Sequence, residues 1–404
     1  IIKNTNGIII IMLNLKMYIN TSSIIILNKR KIFMLITNLY RNILIIFIVT
    51  ILILLAPQLT EACTRALYIS KDNTVIVGRS MDWGEDMASN MWALPRGMKR
   101  DGRGGRNTLS WESKYGSLIV SAYDIGTAEG MNEKGLVVNE LALVESNYGQ
   151  PMDGEKVISL STWPQYVLDN FATVAEAVAD LRQENFRVQT IVLGTGRPAN
   201  MHLVISDATG DSAVFEYVDG KLVIHHGKEY KVVTNSPTYD KQLAIMEYWK
   251  DAGGISKSLP GTSRAADRFV RTSFLLDILP NEVSPTYING TPEKSFKFQA
   301  PMAVLSLMRS VGTPLGFANE EQPWVSSTIW RTVSDSTNRV VIFDSALTSA
   351  TFWVKLDELN FKRGAPVKKL ELAGGKTYSG NTLNQFKEAK LFIFQDLTDV
   401  VKAK

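Results

Sequence analysis

The feature that most constrains this chain is its single cysteine, Cys63. No intramolecular disulfide can staple the fold and no cysteine-based metal cluster can form, so the 404 residues must be held chiefly by buried apolar surface. The composition allows it: 45% of residues are hydrophobic and 21% charged, which excludes a disordered, collagen-like or multi-span membrane chain. Charge divides at the same cysteine. Residues 1–62 carry six basic groups and one acidic group, leaving 38 basic against 39 acidic residues in the remainder. The overall charge of +4 is therefore a property of the N-terminal segment, and the body has no positive field with which to attract nucleic acid.

Residues 1–33 are crowded with Ile and Asn and lack the period of an amphipathic helix; they read as an upstream segment that is not translated or not native. From Met34 the pattern becomes that of a secretory signal peptide. Arg41 supplies the basic start, Ile43 to Leu55 an apolar stretch too short to span a bilayer, and Thr60-Glu61-Ala62 small residues at −3 and −1. Cleavage after Ala62 would place Cys63 at the head of a mature chain of 342 residues, exported to the periplasm or secreted. Two chemistries use a cysteine at such a position. A lipoprotein uses the thiol as an anchor, whereas an N-terminal nucleophile uses the thiol and the α-amine of one residue together. The charged Glu61 at −2 and Thr60 at −3 do not suit a lipoprotein site, so no stable membrane anchor is expected.

Beyond Cys63 the chain reads as one α+β domain over residues 63–404. Strands are expected over Thr64 to Ser70, Thr74 to Gly78, Ser117 to Tyr123 and Gly135 to Val138, and a mobile exposed loop over Arg100 to Arg106. Helices are expected over Ser161 to Asn170 and Thr173 to Arg182; in the second, Thr173 and Glu176 form a capping-box pattern. Four strands follow (His202 to Ser206, Ser212 to Tyr217, Leu222 to His226, Tyr230 to Thr234), then helices near Arg264 to Ile278 and Ala300 to Val311, then strands Arg339 to Phe343 and Thr351 to Leu356. The three histidines, His202, His225 and His226, lie in strand-like runs, and the neighbouring pair would point to opposite faces. No metal and no cofactor is expected.

An amide-cleaving thiol needs a nucleophile, a base, groups to order them and donors for the oxyanion. A thiol and an α-amine titrate close enough together to exchange a proton near neutral pH, so an N-terminal cysteine needs no histidine. Taken singly, the supporting candidates have bland readings. Arg79 and Asp82 read as a local pair in a turn, Asn235 before Ser236-Pro237 as a turn residue, and Arg264, Arg268 and Arg271 as one solvated helical stripe.

Taken together they are more specific. Cys63-Thr64-Arg65, Gly78-Arg79-Ser80-Met81-Asp82-Trp83, Gly130-Met131-Asn132-Glu133-Lys134-Gly135-Leu136, Thr234-Asn235-Ser236-Pro237-Thr238 and Asp267-Arg268-Phe269-Val270-Arg271 occur in the order seen in the choloylglycine hydrolase family. The chain resembles that family over residues 63 to about 360, with its Gram-negative penicillin V acylase branch nearer than its bile salt hydrolases. The resemblance implies an N-terminal nucleophile hydrolase with a four-layer αββα sandwich, assembled as a homotetramer and acting on linear amides with an apolar acyl group. It implies Cys63 as nucleophile, Arg79 and Asp82 as the pair ordering its thiol and amine, Asn235 as the oxyanion donor and Arg268 as the arginine completing the charged site. Met81 and Trp83 are expected to line the acyl pocket. At Ala142, where relatives carry Asn, Tyr or a bulky aromatic, only the backbone is left to contribute. The alternatives are a conjugated bile salt hydrolase, an N-acyl homoserine lactone acylase, or a lipid-anchored binding protein without activity.

Overall fold

In the computed structural model, which describes Arg41 and residues 63–193, 198–252, 258–316 and 326–397, two large sheets carry the chain. Arg41 apart, the upstream segment expected over residues 1–33 and the signal peptide over residues 34–62 lie outside the described residues. The first sheet has seven strands in the order Val232–Val233, Thr64–Ile69, Val75–Trp83, Ser327–Asp335, Val340–Ser345, Thr351–Lys355 and Gly380–Asn381. The second has nine: Lys221–His226, Ser212–Val218, Met201–Ser206, Val137–Ala142, Gly126–Asn132, Ser117–Ala122, Met91–Leu94, Lys368–Leu370 and Lys387–Glu388.

Apolar residues of both sheets, among them Ala66, Val77, Val120 and Val137, share one buried cluster, so the sheets stack face to face. Helices Ala265–Asp277 and Phe296–Val311 cover the first sheet, while Trp163–Asn170 and Val174–Leu181 cover the outer face of the second. The result is the four-layer αββα arrangement the sequence led us to expect. Val174, Ala177, Val178 and Leu181 form the buried stripe of their helix, and the capping box between Thr173 and Glu176 is present with both its bonds.

Several local readings change. The strand expected to end at Gly78 continues to Trp83 because its residues are buried on both faces, so Arg79 and Asp82 sit within a central strand and not in a turn. The Gly- and Arg-rich run is no free loop. Arg100 lies in the hairpin of Lys99–Asp101 with Ser110–Glu112, buried and paired with Asp169 at 3.0 Å, and Gly104 is packed so closely on Val157 that a side chain would not fit. Strands Met91–Leu94, Gly126–Asn132 and Ser327–Asp335 and the helix Tyr239–Ala252 had no expectation attached. The stretch 126–132, with two glycines and a glutamate, lacks the β-branched alternation of an ordinary strand; its place between two strong neighbours makes it one.

Close approach of the helical layer to the first sheet depends on Gly78. A Cβ there would come within 2.7 Å of Val304 Cγ1 and 2.8 Å of Met308 Cγ. Gly78→Ala should lower the unfolding free energy by about 1–3 kcal/mol, read as a lower denaturant midpoint with the m-value unchanged. An unaltered midpoint would mean that the helix gives way freely.

Candidate active site

Register places the cysteine. Thr64 pairs with Ser80 and Arg65 with Arg79, so the residue before Thr64 comes to lie opposite Met81. On the other side of the central strand, Thr328 pairs with Asp82 but Trp330 with Met81. The extra residue between them makes a bulge that locally re-aims the side chains around Met81 and Asp82. Cys63 is buried at this point, its Sγ 3.8 Å from both Met81 Sδ and the Asp82 carbonyl oxygen.

Arg79 reaches the sulfur from the same strand. Its Nη2 lies 3.6 Å from Cys63 Sγ and donates to the Glu140 carbonyl at 3.0 Å, while Nη1 pairs with Glu129 Oε2 at 3.2 Å. The guanidinium also lies 4.7 Å from the ring centroid of Trp330. Its ion pair is thus made with Glu129, from the opposite sheet, and not with Asp82 as a local reading would have it. Glu129 is held in turn by Asn139 Nδ2 at 3.4 Å and by the Thr332 hydroxyl.

Asp82 is buried near both arginines; its Oδ1 accepts from the Thr328 hydroxyl at 2.5 Å, and its Oδ2 has no partner among the described residues. Burial pushes its carboxyl above the ordinary range, opposed first by Arg268 and by the Thr328 bond. The Cys63 thiol is also raised by burial, with Arg79 pulling the other way.

Asn235 and Arg268 hold the backbone of the cysteine. The Cys63 nitrogen donates to Asn235 Oδ1 at 2.5 Å, and Asn235 Nδ2 donates to the Ala142 carbonyl at 2.8 Å. Arg268 donates from Nη1 to the Cys63 carbonyl at 2.5 Å and to the Thr64 hydroxyl, from Nη2 to Asn235 Oδ1 at 2.9 Å, and from Nε to the Ser263 carbonyl at 2.9 Å. It is fully buried, so the solvated-stripe reading does not hold for it; Arg271, half-buried, donates to the Pro260 and Thr262 carbonyls. Among the histidines, His202 is buried between Glu216 and the Thr234 carbonyl, each at 2.9 Å, next to Asn235. His226 pairs with Asp211, whereas the His225 ring packs on Tyr230 and Tyr239, consistent with opposite faces.

A small cleft meets this region at Trp83, the chain neighbour of Asp82, and at Glu140, and is lined by Leu160, Ile191, Leu193 and Met201 among others. Trp83 donates from Nε1 to the Tyr123 hydroxyl at 2.7 Å. Met81 lies against Cys63 and Arg79, and Ala142 contributes its carbonyl to Asn235. Thus Cys63, Arg79, Asp82, Asn235 and Arg268 meet in one buried cluster. The sequence reading missed Glu129, Thr328, Trp330 and Glu140. A glutamate inside a strand flanked by buried residues was the available signal for Glu129; nothing local marks the others.

The arrangement sets a sulfur, a backbone nitrogen and a potential amide donor around one point, which suits attack on a carbonyl. Residues 63–369 match the family described as linear amide C–N hydrolases, choloylglycine hydrolase family. The chain is 44% identical over 360 residues to a penicillin V acylase of Pectobacterium atrosepticum, covering 85% of this chain and 94% of that protein. A bile salt hydrolase/transferase of Clostridium perfringens is 29% identical over 243 residues, 54% of this chain and 72% of its own. Among solved structures, penicillin V acylase from Agrobacterium tumefaciens superposes with a TM-score of 0.74 at 45% identity, covering 83% of this chain and all of that one.

Proposed function

We propose, from the premise that this chain belongs to the choloylglycine hydrolase family of linear amide C–N hydrolases, that Cys63 is its N-terminal nucleophile and that a phenoxyacetyl amide of the penicillin V type is its preferred substrate. The observation that carries this reading is the convergence on one residue: the Cys63 nitrogen is held by Asn235 and its sulfur lies beside Arg79, with the Asp82 carboxyl, whose Oδ2 has no partner among the described residues, near both arginines. In the translated chain that nitrogen is an amide and no base. Cleavage after Ala62, on export to the periplasm or the medium, turns it into an amine.

The amine then takes the thiol proton, and the thiolate attacks the substrate carbonyl while Asn235 Nδ2, exchanging its bond to the Ala142 carbonyl, donates to the oxyanion. Collapse breaks the C–N bond, the ammonium proton passes to the leaving nitrogen, and a thioester remains. Water, its proton taken by the amine, cleaves the thioester, releasing the acid and restoring the thiol. Arg79 and Arg268 keep the sulfur and the backbone in place throughout. The family resemblance further supports a homotetramer, measurable by light scattering.

Penicillin V is favoured over conjugated bile salts because the relatives bearing that name are 44–45% identical to this chain, whereas the bile salt hydrolase is 29% identical. Purified exported protein should begin at Cys63 by N-terminal sequencing and turn over penicillin V faster than a long-chain N-acyl homoserine lactone or glycocholate. Inertness toward all three rejects the substrate class. Incorporation of labelled fatty acid at Cys63 would block the amine and favour the lipid-anchored alternative.

A further inference from the structure

Glu140 is a carboxylic acid placed where the reaction has no use for one. It belongs to the strand Val137–Ala142, and its carbonyl accepts from the same Arg79 Nη2 that lies 3.6 Å from Cys63 Sγ, so its backbone is one guanidinium away from the nucleophile. Glu140 is among the residues lining the cleft that Trp83 also lines, where it is the one carboxyl-bearing residue amid Leu160, Ile191, Leu193 and Met201. Its Oε1 is sealed from solvent and has no hydrogen-bond partner among the described residues. A buried polar atom left without a partner is costly, and such a group in a binding cleft is satisfied when a ligand supplies the missing bond.

The geometry points to Glu140 as a specificity-determining residue that, as the neutral acid, donates a hydrogen bond to an acceptor oxygen on the acyl arm of the substrate, such as the ether oxygen of an aryloxyacetyl group. Burial among apolar side chains raises its carboxyl well above the ordinary range, with Arg79 opposing. The protonated form is the one that can donate. An acyl arm of hydrocarbon alone would fill the same cleft and leave the acid unsatisfied. This inference rests on the amide-hydrolase reading and narrows it to acyl groups that carry an oxygen.

The test uses two amides of one amine, phenoxyacetyl and 3-phenylpropanoyl, which differ by oxygen against methylene. Since the ether oxygen also activates the carbonyl, the quantity read is the change in the ratio of their kcat/KM values on substitution. Glu140→Gln keeps a donor and should hold the wild-type ratio to within about twofold, whereas Glu140→Leu should lower it about three- to tenfold. An unchanged ratio in E140L, whatever happens to the overall rate, overturns the inference. Glu140→Met repeats the arm, and failure of both variants to fold would assign Glu140 a structural role instead. If the wild-type protein cleaves neither amide, the hydrolase reading fails separately. Calorimetric Kd ratios for the two amides on wild-type and E140L protein still decide the role of Glu140: a ratio that shifts supports it, and one that does not overturns it.

Discussion

Cys63→Ala should reduce amide hydrolysis to background, a loss on the order of 10⁶-fold in kcat, or about 8 kcal/mol of transition-state stabilisation, while the protein remains folded. The side chain is buried against Met81 but is small, and no ion pair among the described residues ends on it. A chain with cleavage after Ala62 blocked, confirmed by intact mass, should be equally inactive although its thiol is intact. In that state Cys63 nitrogen can donate to Asn235 but cannot accept a proton, and burial holds the thiol above its ordinary range. A raised thiol pKa means less thiolate at neutral pH. Processing adds an adjacent ammonium, which favours the thiolate, so iodoacetamide should alkylate Cys63 faster at pH 7 in the mature protein than in the blocked one. Equal alkylation rates together with equal turnover would remove the amine from the mechanism.

The second large effect is expected at Asn235. Asn235→Asp is nearly isosteric and keeps both acceptor bonds of Oδ1, from Cys63 nitrogen at 2.5 Å and Arg268 Nη2 at 2.9 Å. What it removes is the Nδ2 donor, placing a carboxylate oxygen where charge develops and opposite the Ala142 carbonyl that now accepts at 2.8 Å. The expected loss is about 10²- to 10³-fold in kcat with KM little changed, since the donor matters most once the oxyanion forms. Retained stability is part of the prediction, because the new carboxylate faces Arg268. A variant that kept wild-type kcat would show that the oxyanion is held by other donors. Were KM to rise with kcat constant, Asn235 would be binding the ground state.

What could be read before the fold was known depended on range along the chain. The capping box at Thr173 and Glu176 is a contact over three residues and was visible as such. So was the helical stripe from Val174 to Leu181. By sequence the strand carrying Arg79 ends at Gly78, because the next five residues mix charge with apolar bulk; burial on both faces keeps Gly78-Arg79-Ser80-Met81-Asp82-Trp83 extended. Arg268 reads as solvent-facing on its own helix, and it is buried because that helix is laid over the strand Thr64–Ile69 that follows Cys63.

The sequence by itself determined that one cysteine is available, the expectation that a signal segment precedes it, and the order of the residues around it, since each is a property of residue type and position along the chain. Only the tertiary structure decided how these groups are partnered. Glu129 and not Asp82 neutralises Arg79, Thr328 fixes one oxygen of Asp82, and Trp330 backs the guanidinium. These pairs join residues on separate strands, 50 to 251 positions apart, so their energies arise only when the sheets form and stack, and no local period along the chain records them.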